Sequence, residues 1–80
     1  MEIQNIQEKV NAFLVEELEI EAEKIQGDAR LKEDMGIDSL EVVDVVVFVE
    51  QEFGFKMRPE DFKTIRTYDA FCQFIAQRLG

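Results

Sequence analysis

Histidine is absent from the chain, which removes the commonest general base and metal ligand. Cysteine occurs once, at Cys72, so no internal disulfide can form and a disulfide framework is excluded. A buried or half-buried thiol in a helix is the expectation for it. With one cysteine, no histidine and no serine–lysine dyad apparent, the usual nucleophiles and acid–base groups are missing. An enzyme is therefore not expected, and neither a catalytic residue nor a metal ligand is assigned. Bases are scarce too: 9 oppose 18 acids, for a formal net charge of −9. That balance argues against nucleic acid and anionic membranes and favours basic protein partners. No apolar run reaches the ~20 residues that span a bilayer. Met1 leads into Glu2, Ile3 and Gln4 rather than a basic stretch and an apolar block, so no secretory signal is expected and the cytoplasm is the expected location.

What is present suits one small domain of 80 residues. A chain this short buries only about 60% of its unfolded surface, so its stability is expected to be marginal. Ile3, Ile6, Val10, Phe13 and Leu14 recur at helical spacing, which predicts an amphipathic helix over residues 3–17. A long connection follows, Glu19 to Ile37, with Gly27 and Gly36 in it. Loops of that length in compact domains are usually functional or contain a further short turn of structure. Leu31 and Met35 are the residues expected to pin it to the core. Pro59, the single proline, suits the first turn of a short helix over Pro59 to Lys63. Thr67 can cap a last helix whose stripe is Tyr68, Phe71, Ile75 and Leu79.

Between these lies a segment whose composition misleads. Val42, Val43, Val45, Val46, Val47 and Val49 are β-branched and by propensity favour a strand. The acids at 41, 44 and 52 do not alternate with period two, however, and Asp38-Ser39-Leu40-Glu41 has the form of a capping box. On a helix, Val42, Val45, Val46, Val49 and Phe53 gather into one stripe. A helix over 39–53 is predicted.

Ser39 would then be the first helical residue, its hydroxyl pointing outward beside unpaired backbone N–H groups and the positive end of the helix dipole. Such a position tolerates an attached phosphate. Read from the residues alone, a plain cap-region serine fits as well. The wider stretch "LKEDMGIDSLEVVDVVVFVEQEFG", Leu31 to Gly54, resembles the acyl carrier protein family closely. The resemblance is carried by Glu33-Asp34, Gly36, the Asp38-Ser39-Leu40 triplet, Glu41, Asp44 and the Glu50-Gln51-Glu52-Phe53 ending, and extends loosely over nearly the whole chain.

The resemblance implies an all-α fold: a four-helix bundle of acyl-carrier type, with a long loop between helices 1 and 2 and a short third helix. It implies one free-standing carrier domain over residues 1–80, a monomer. It further implies that a Mg²⁺-dependent phosphopantetheinyl transferase joins 4′-phosphopantetheine, donated by coenzyme A, to Ser39, flanked by Asp38 and Leu40. The arm would hold acyl intermediates as thioesters, its cofactor supplying the chemistry and the protein an address and a tether.

Opposite the predicted core stripe lie Leu40, Asp44, Val47 and Gln51, flanked by Glu41, Phe48 and Glu50. Apolar residues ringed by acids suit a transient docking face for acyl-processing enzymes with basic patches. Val47 and Phe48 also read as core residues. One region departs from the family's fatty-acid members, which are acidic through the third helix. Here Lys56, Arg58, Lys63 and Arg66 surround Pro59-Glu60-Asp61-Phe62, and "FKMRPEDF" is similar to D-alanyl carrier proteins and carriers of specialised pathways. Fatty-acid synthesis, a dedicated polyketide-like or lipid pathway, D-alanyl or aminoacyl transfer, and an unmodified interaction subunit all stay open. An EF-hand is not expected, because Glu33 to Asp44 lacks the required order of acids and glycine.

Overall fold

The computed structural model describes residues 2–79. Three α-helices come in the order α1 (Ile3–Glu16), α2 (Ser39–Phe53) and α3 (Tyr68–Leu79), with short 3₁₀ turns at Ala22–Lys24 and Pro59–Lys63. The fold is all-α, as expected. The third of the four expected helices is a five-residue 3₁₀ segment rather than an α-helix. Pro59 starts it, Asp61 Oδ2 accepts the Arg58 N–H, and Thr64 Oγ1 donates to the Asp61 carbonyl. Ile65 then drops into the core and the chain cannot continue outward as a helix.

The stripe of α1 is Ile6, Val10 and Leu14, all buried, while Ile3 lies exposed beyond the end of the core. α1 packs against α3, where Tyr68, Phe71, Cys72 and Ile75 are buried. The Tyr68 hydroxyl donates to Asn11 Oδ1 and ties the two helices at their polar edge. Thr67 caps α3 as the sequence predicts, its Oγ1 accepting the Ala70 N–H.

α2 spans the predicted residues despite its valines. Asp38 starts it, and Gly54 stops it in the left-handed region at φ 81°, its N–H bonded to the Glu50 carbonyl. Between the caps, burial of one face outweighs the weak intrinsic preference of valine. Val45, Val49 and Phe53 form the buried seam, at steps of four residues. Val42 and Val46, placed in that stripe from spacing, are half-buried at its margin.

The long connection is held by more residues than its sequence suggested. Ile20, Ala29, Leu31, Met35 and Ile37 all enter the one hydrophobic core. Each of the larger ones contributes roughly 1.5–3 kcal/mol of burial, and Ala29 less. An antiparallel bridge between Arg30 and Thr67 fixes the loop to the start of α3, through Leu31 N–H to the Arg66 carbonyl and Tyr68 N–H to the Ala29 carbonyl, 2.9 Å each. Apart from that bridge, the described residues contain no β-structure.

Candidate functional site

The start of α2 is built by two local devices in succession. Residues 31–35 make a helical turn that ends at Gly36, whose φ of 75° a side chain would strain. Gly36 N–H bonds the Lys32 carbonyl at 3.1 Å and Ile37 N–H the Leu31 carbonyl at 3.0 Å, which closes the turn. Ile37 is thereby pinned in the core and the chain re-emerges at Asp38. Asp38 is extended, and its Oδ1 accepts the N–H groups of Leu40 at 3.0 Å and Glu41 at 2.9 Å. Glu41 Oε1 reaches back to the Asp38 N–H at 3.4 Å, which closes the predicted capping box.

Ser39 is therefore the first residue of α2, exposed, and its hydroxyl makes no hydrogen bond to any described residue. Because Asp38 does the capping, that hydroxyl is free for chemistry. One expectation is corrected. The first-turn N–H groups beside Ser39 are not open to a phosphate, since Asp38 already occupies those of Leu40 and Glu41. The Asp38 carboxylate also offsets the dipole at this end of the helix.

Positive charge near Ser39 comes instead from across the fold. Ser39 lines an open cleft of ≈ 680 Å³ whose apolar floor is Leu31, Ile37, Val42, Phe62 and Ile65. Arg30, Lys32, Lys63 and Arg66 stand on the same cleft, against the acids Glu33 and Asp38. An arm made largely of amides and aliphatic carbons fits this lining, its carbons against the apolar floor. Arg30 is already engaged, its Nε 3.4 Å from Asp34 Oδ2 and 3.5 Å from Glu33 Oε2. The hydrogen bond from the Arg30 backbone N–H, and then its guanidinium, hold the Asp34 carboxyl below its ordinary pKa. Lys32, Lys63 and Arg66 make no ion pair among the described residues.

Sequence reading placed Lys63 and Arg66 around the third helix but did not join them to Ser39, and it missed Arg30 and Lys32. No spacing signal could have found that grouping. It depends on the hydrogen bond that sets Leu31 beside Arg66.

On the outer face of α2, Leu40 is 80% exposed and Val47 45% exposed, with Asp44, Glu50 and Gln51 also exposed and Glu41 half-buried. Phe48 does not share that exposure. Its half-buried ring stacks on Phe13 of α1 and meets Phe53 edge-on, because the helix rotation turns position 48 toward α1. A second pocket of ≈ 420 Å³ joins Asp44, Val47, Phe48 and Gln51 to Phe13, Glu17 and Leu18, so the half-buried Phe48 still lines this face. The end of α1 thus extends this face, which the sequence did not indicate.

Cys72 is buried in α3, away from both surfaces, and burial pushes its thiol up to about 11. Among the described residues, no group of three or more Cys, Asp or Glu is arranged to hold a metal ion. No helix among the described residues is long and apolar enough to cross a membrane.

Residues 8–75 match the family described as "Phosphopantetheine attachment site". The chain is also similar to the acyl carrier proteins of Buchnera aphidicola subsp. Acyrthosiphon pisum, strains Tuc7 and APS. Each is 33% identical over 76 residues, 95% of this chain and 95% of the relative. It is 30% identical to the acyl carrier protein of Solidesulfovibrio magneticus over 76 residues, 95% of this chain and 97% of that protein.

Proposed function

The chain belongs to the acyl carrier protein family, and from that premise we propose that Ser39 is the residue to which its 4′-phosphopantetheine arm is joined. The observation that carries this reading is the uncommitted Ser39 hydroxyl at the exposed start of α2, its helix cap supplied by its neighbour Asp38. The protein is a carrier rather than a catalyst. The arm, when attached, supplies the thiol that holds acyl groups as thioesters.

The chain's own residues have three tasks. Asp38 and Glu41 fix the direction in which Ser39 points. The apolar floor of the cleft, from Leu31 to Ile65, offers the carbon part of the arm a place out of water. Leu40, Asp44, Val47 and Gln51, with Glu41, Phe48 and Glu50 at the flanks, form the surface that acyl-processing enzymes and the transferase meet through basic patches. Charges of this kind act mainly on association rate. Residues 1–80 act as a single carrier domain and a monomer in the cytoplasm, a location to which the free, buried Cys72 is suited.

The cargo is an acyl intermediate of fatty-acid or related lipid or polyketide biosynthesis. A D-alanyl or aminoacyl cargo is the second reading, since Phe55–Phe62 is similar to D-alanyl carriers as well as to carriers of specialised pathways. Mass spectrometry of the thioester released from protein purified out of its own host separates the two.

The attachment is tested by incubation with coenzyme A, Mg²⁺ and a broad-specificity phosphopantetheinyl transferase. Intact mass should rise by one phosphopantetheinyl group, mapped to the peptide containing Ser39. Ser39→Ala should stay unmodified while keeping its helical circular dichroism. An unmodified wild type, or a modified Ser39→Ala, overturns the assignment.

A further inference from the structure

On a chain of net charge −9, the bases are not evenly spread. α2 carries Glu41, Asp44, Glu50 and Glu52 and no base. Residues 55–66 carry four bases, Lys56, Arg58, Lys63 and Arg66, against two acids, Glu60 and Asp61, and of these Lys63 and Arg66 line the Ser39 cleft, together with the acids Glu33 and Asp38. All four of those bases are exposed. Only Arg58 has an acid within ion-pair reach, Glu60 at 4.0 Å. Lys32 comes to the same cleft from the loop before α2, exposed and without an ion pair among the described residues. Glu52 is neutralised by Lys9 of α1 at 2.7 Å, on the end of α2 away from Ser39.

Ser39 thus stands on a boundary between a negative helix and a positive rim. At physiological ionic strength fields between exposed charges are screened beyond roughly 8 Å. A partner approaching Ser39 therefore reads the local signs and not the net −9. Unpaired lysine and arginine side chains on an acidic protein have no counterpart within their own fold. An acid patch on the approaching surface would supply one, and like charge there would be repelled.

We propose that Lys63 and Arg66, with Lys32 beside them, form a second docking surface that takes an acidic patch on a partner protein, so that an enzyme reaching Ser39 presents two signs: bases to α2 and acids to the rim across the cleft. The proposal rests on the carrier reading only for the identity of that partner. The two-signed surface fixes the rotation of the partner about Ser39, because a purely basic face can engage α2 in more than one orientation. It excludes partners whose docking face is basic throughout.

Two amphipathic helical peptides test this on the whole protein, one of glutamate and leucine and one of lysine and leucine. Each is followed by ¹H–¹⁵N shift mapping. The lysine peptide should move amides at Leu40, Asp44, Val47 and Gln51. The glutamate peptide, despite the net charge, should saturably move amides of 31–33 and 62–66. Lys63→Glu with Arg66→Glu should weaken the glutamate peptide by about tenfold or more, as expected for reversing charges at a docking surface, and leave the lysine peptide's affinity undiminished. Lys63→Gln with Arg66→Gln gives the same direction with a smaller loss, should the reversal disturb folding. No saturable shift with the glutamate peptide, or shifts that survive both double variants, overturns the proposal. So does displacement of that peptide by coenzyme A at the same amides, which would assign the rim to small phosphates. Loading of Ser39 is measured on the same samples. Absent loading with the glutamate peptide still bound defeats the carrier reading and leaves the two-signed surface standing.

Discussion

Phe13 of α1 and Phe48 of α2 stack with ring centroids 4.2 Å apart and planes 13° from parallel. Phe48 also meets Phe53 edge-on at 5.8 Å, so one ring joins the buried seam of α2 to α1. This pairing packs Phe48 more deeply than its neighbour Val47, although both line the same pocket. Phe48→Ala is expected to lower stability in urea unfolding by about 2–3 kcal/mol, at or below the usual range for a phenylalanine in a core because it is half-buried. Val47→Ala, 45% exposed, should change stability by less than about 0.5 kcal/mol. Equal losses would mean that Val47 is packed as deeply as its neighbour.

Asp38 accepts two first-turn N–H groups of α2 with one oxygen, and Glu41 closes the box behind it. Asp38→Ala should cost about 1 kcal/mol, while Asp38→Asn, which keeps the accepting oxygen, should lose a few tenths. Thermal unfolding of the two variants beside Ser39→Ala reads this directly. A loss in Ser39→Ala as large as that in Asp38→Ala would show that Ser39 shares the capping and that its hydroxyl is not free.

Glu19 holds φ at 56°, the one non-glycine described in the left-handed region. It sits where α1 turns back, with Ile20 N–H bonded to the Leu14 carbonyl at 3.0 Å. A side chain there costs roughly 1 kcal/mol, part of which glycine returns through its larger unfolded entropy. Glu19→Gly should raise stability by up to about 1 kcal/mol. Glu19→Ala removes the same negative charge and keeps the strain, so the difference between the two isolates the backbone effect.

Burial is the main force that raises both Cys72, to about 11 from an ordinary value of 9.0, and Tyr68, well above its ordinary value. In each case folding favours the protonated, neutral group. The unfolded chain therefore gives up these protons first, and stability falls as pH rises. The stabilisation is fully present below pH 9 and is lost through about 11 for Cys72, with Tyr68 extending the loss from 10 upward. Urea unfolding along that range should show a falling alkaline limb. Cys72→Ala should start from a lower plateau, because it opens a small cavity, and its limb should begin nearer pH 10, the ordinary value of Tyr68. A limb unchanged in Cys72→Ala would assign the alkaline loss to other groups.

The sequence by itself determined the parts of this protein that local chemistry controls. Asp38 before Leu40-Glu41 specifies a capped helix start, and Gly54 a stop, so α2 is legible in spite of six valines. Pro59 and Thr67 likewise mark where a short turn and a last helix begin. The Asp38-Ser39-Leu40 triplet alone read equally well as a plain helix cap, and only the wider resemblance from Leu31 to Gly54 singled out Ser39 as the proposed site. What only the tertiary structure decided is everything that brings distant residues together. The rotation of α2 against α1 sends Phe48 to Phe13 and leaves Val47 in water, a difference of one residue that a valine-rich helix does not announce. The bond from Leu31 N–H to the Arg66 carbonyl carries Lys32 to Lys63 and Arg66 beside Ser39. Residues more than 30 positions apart have no common periodicity, so their grouping follows from packing of the loop onto the core and from that alone.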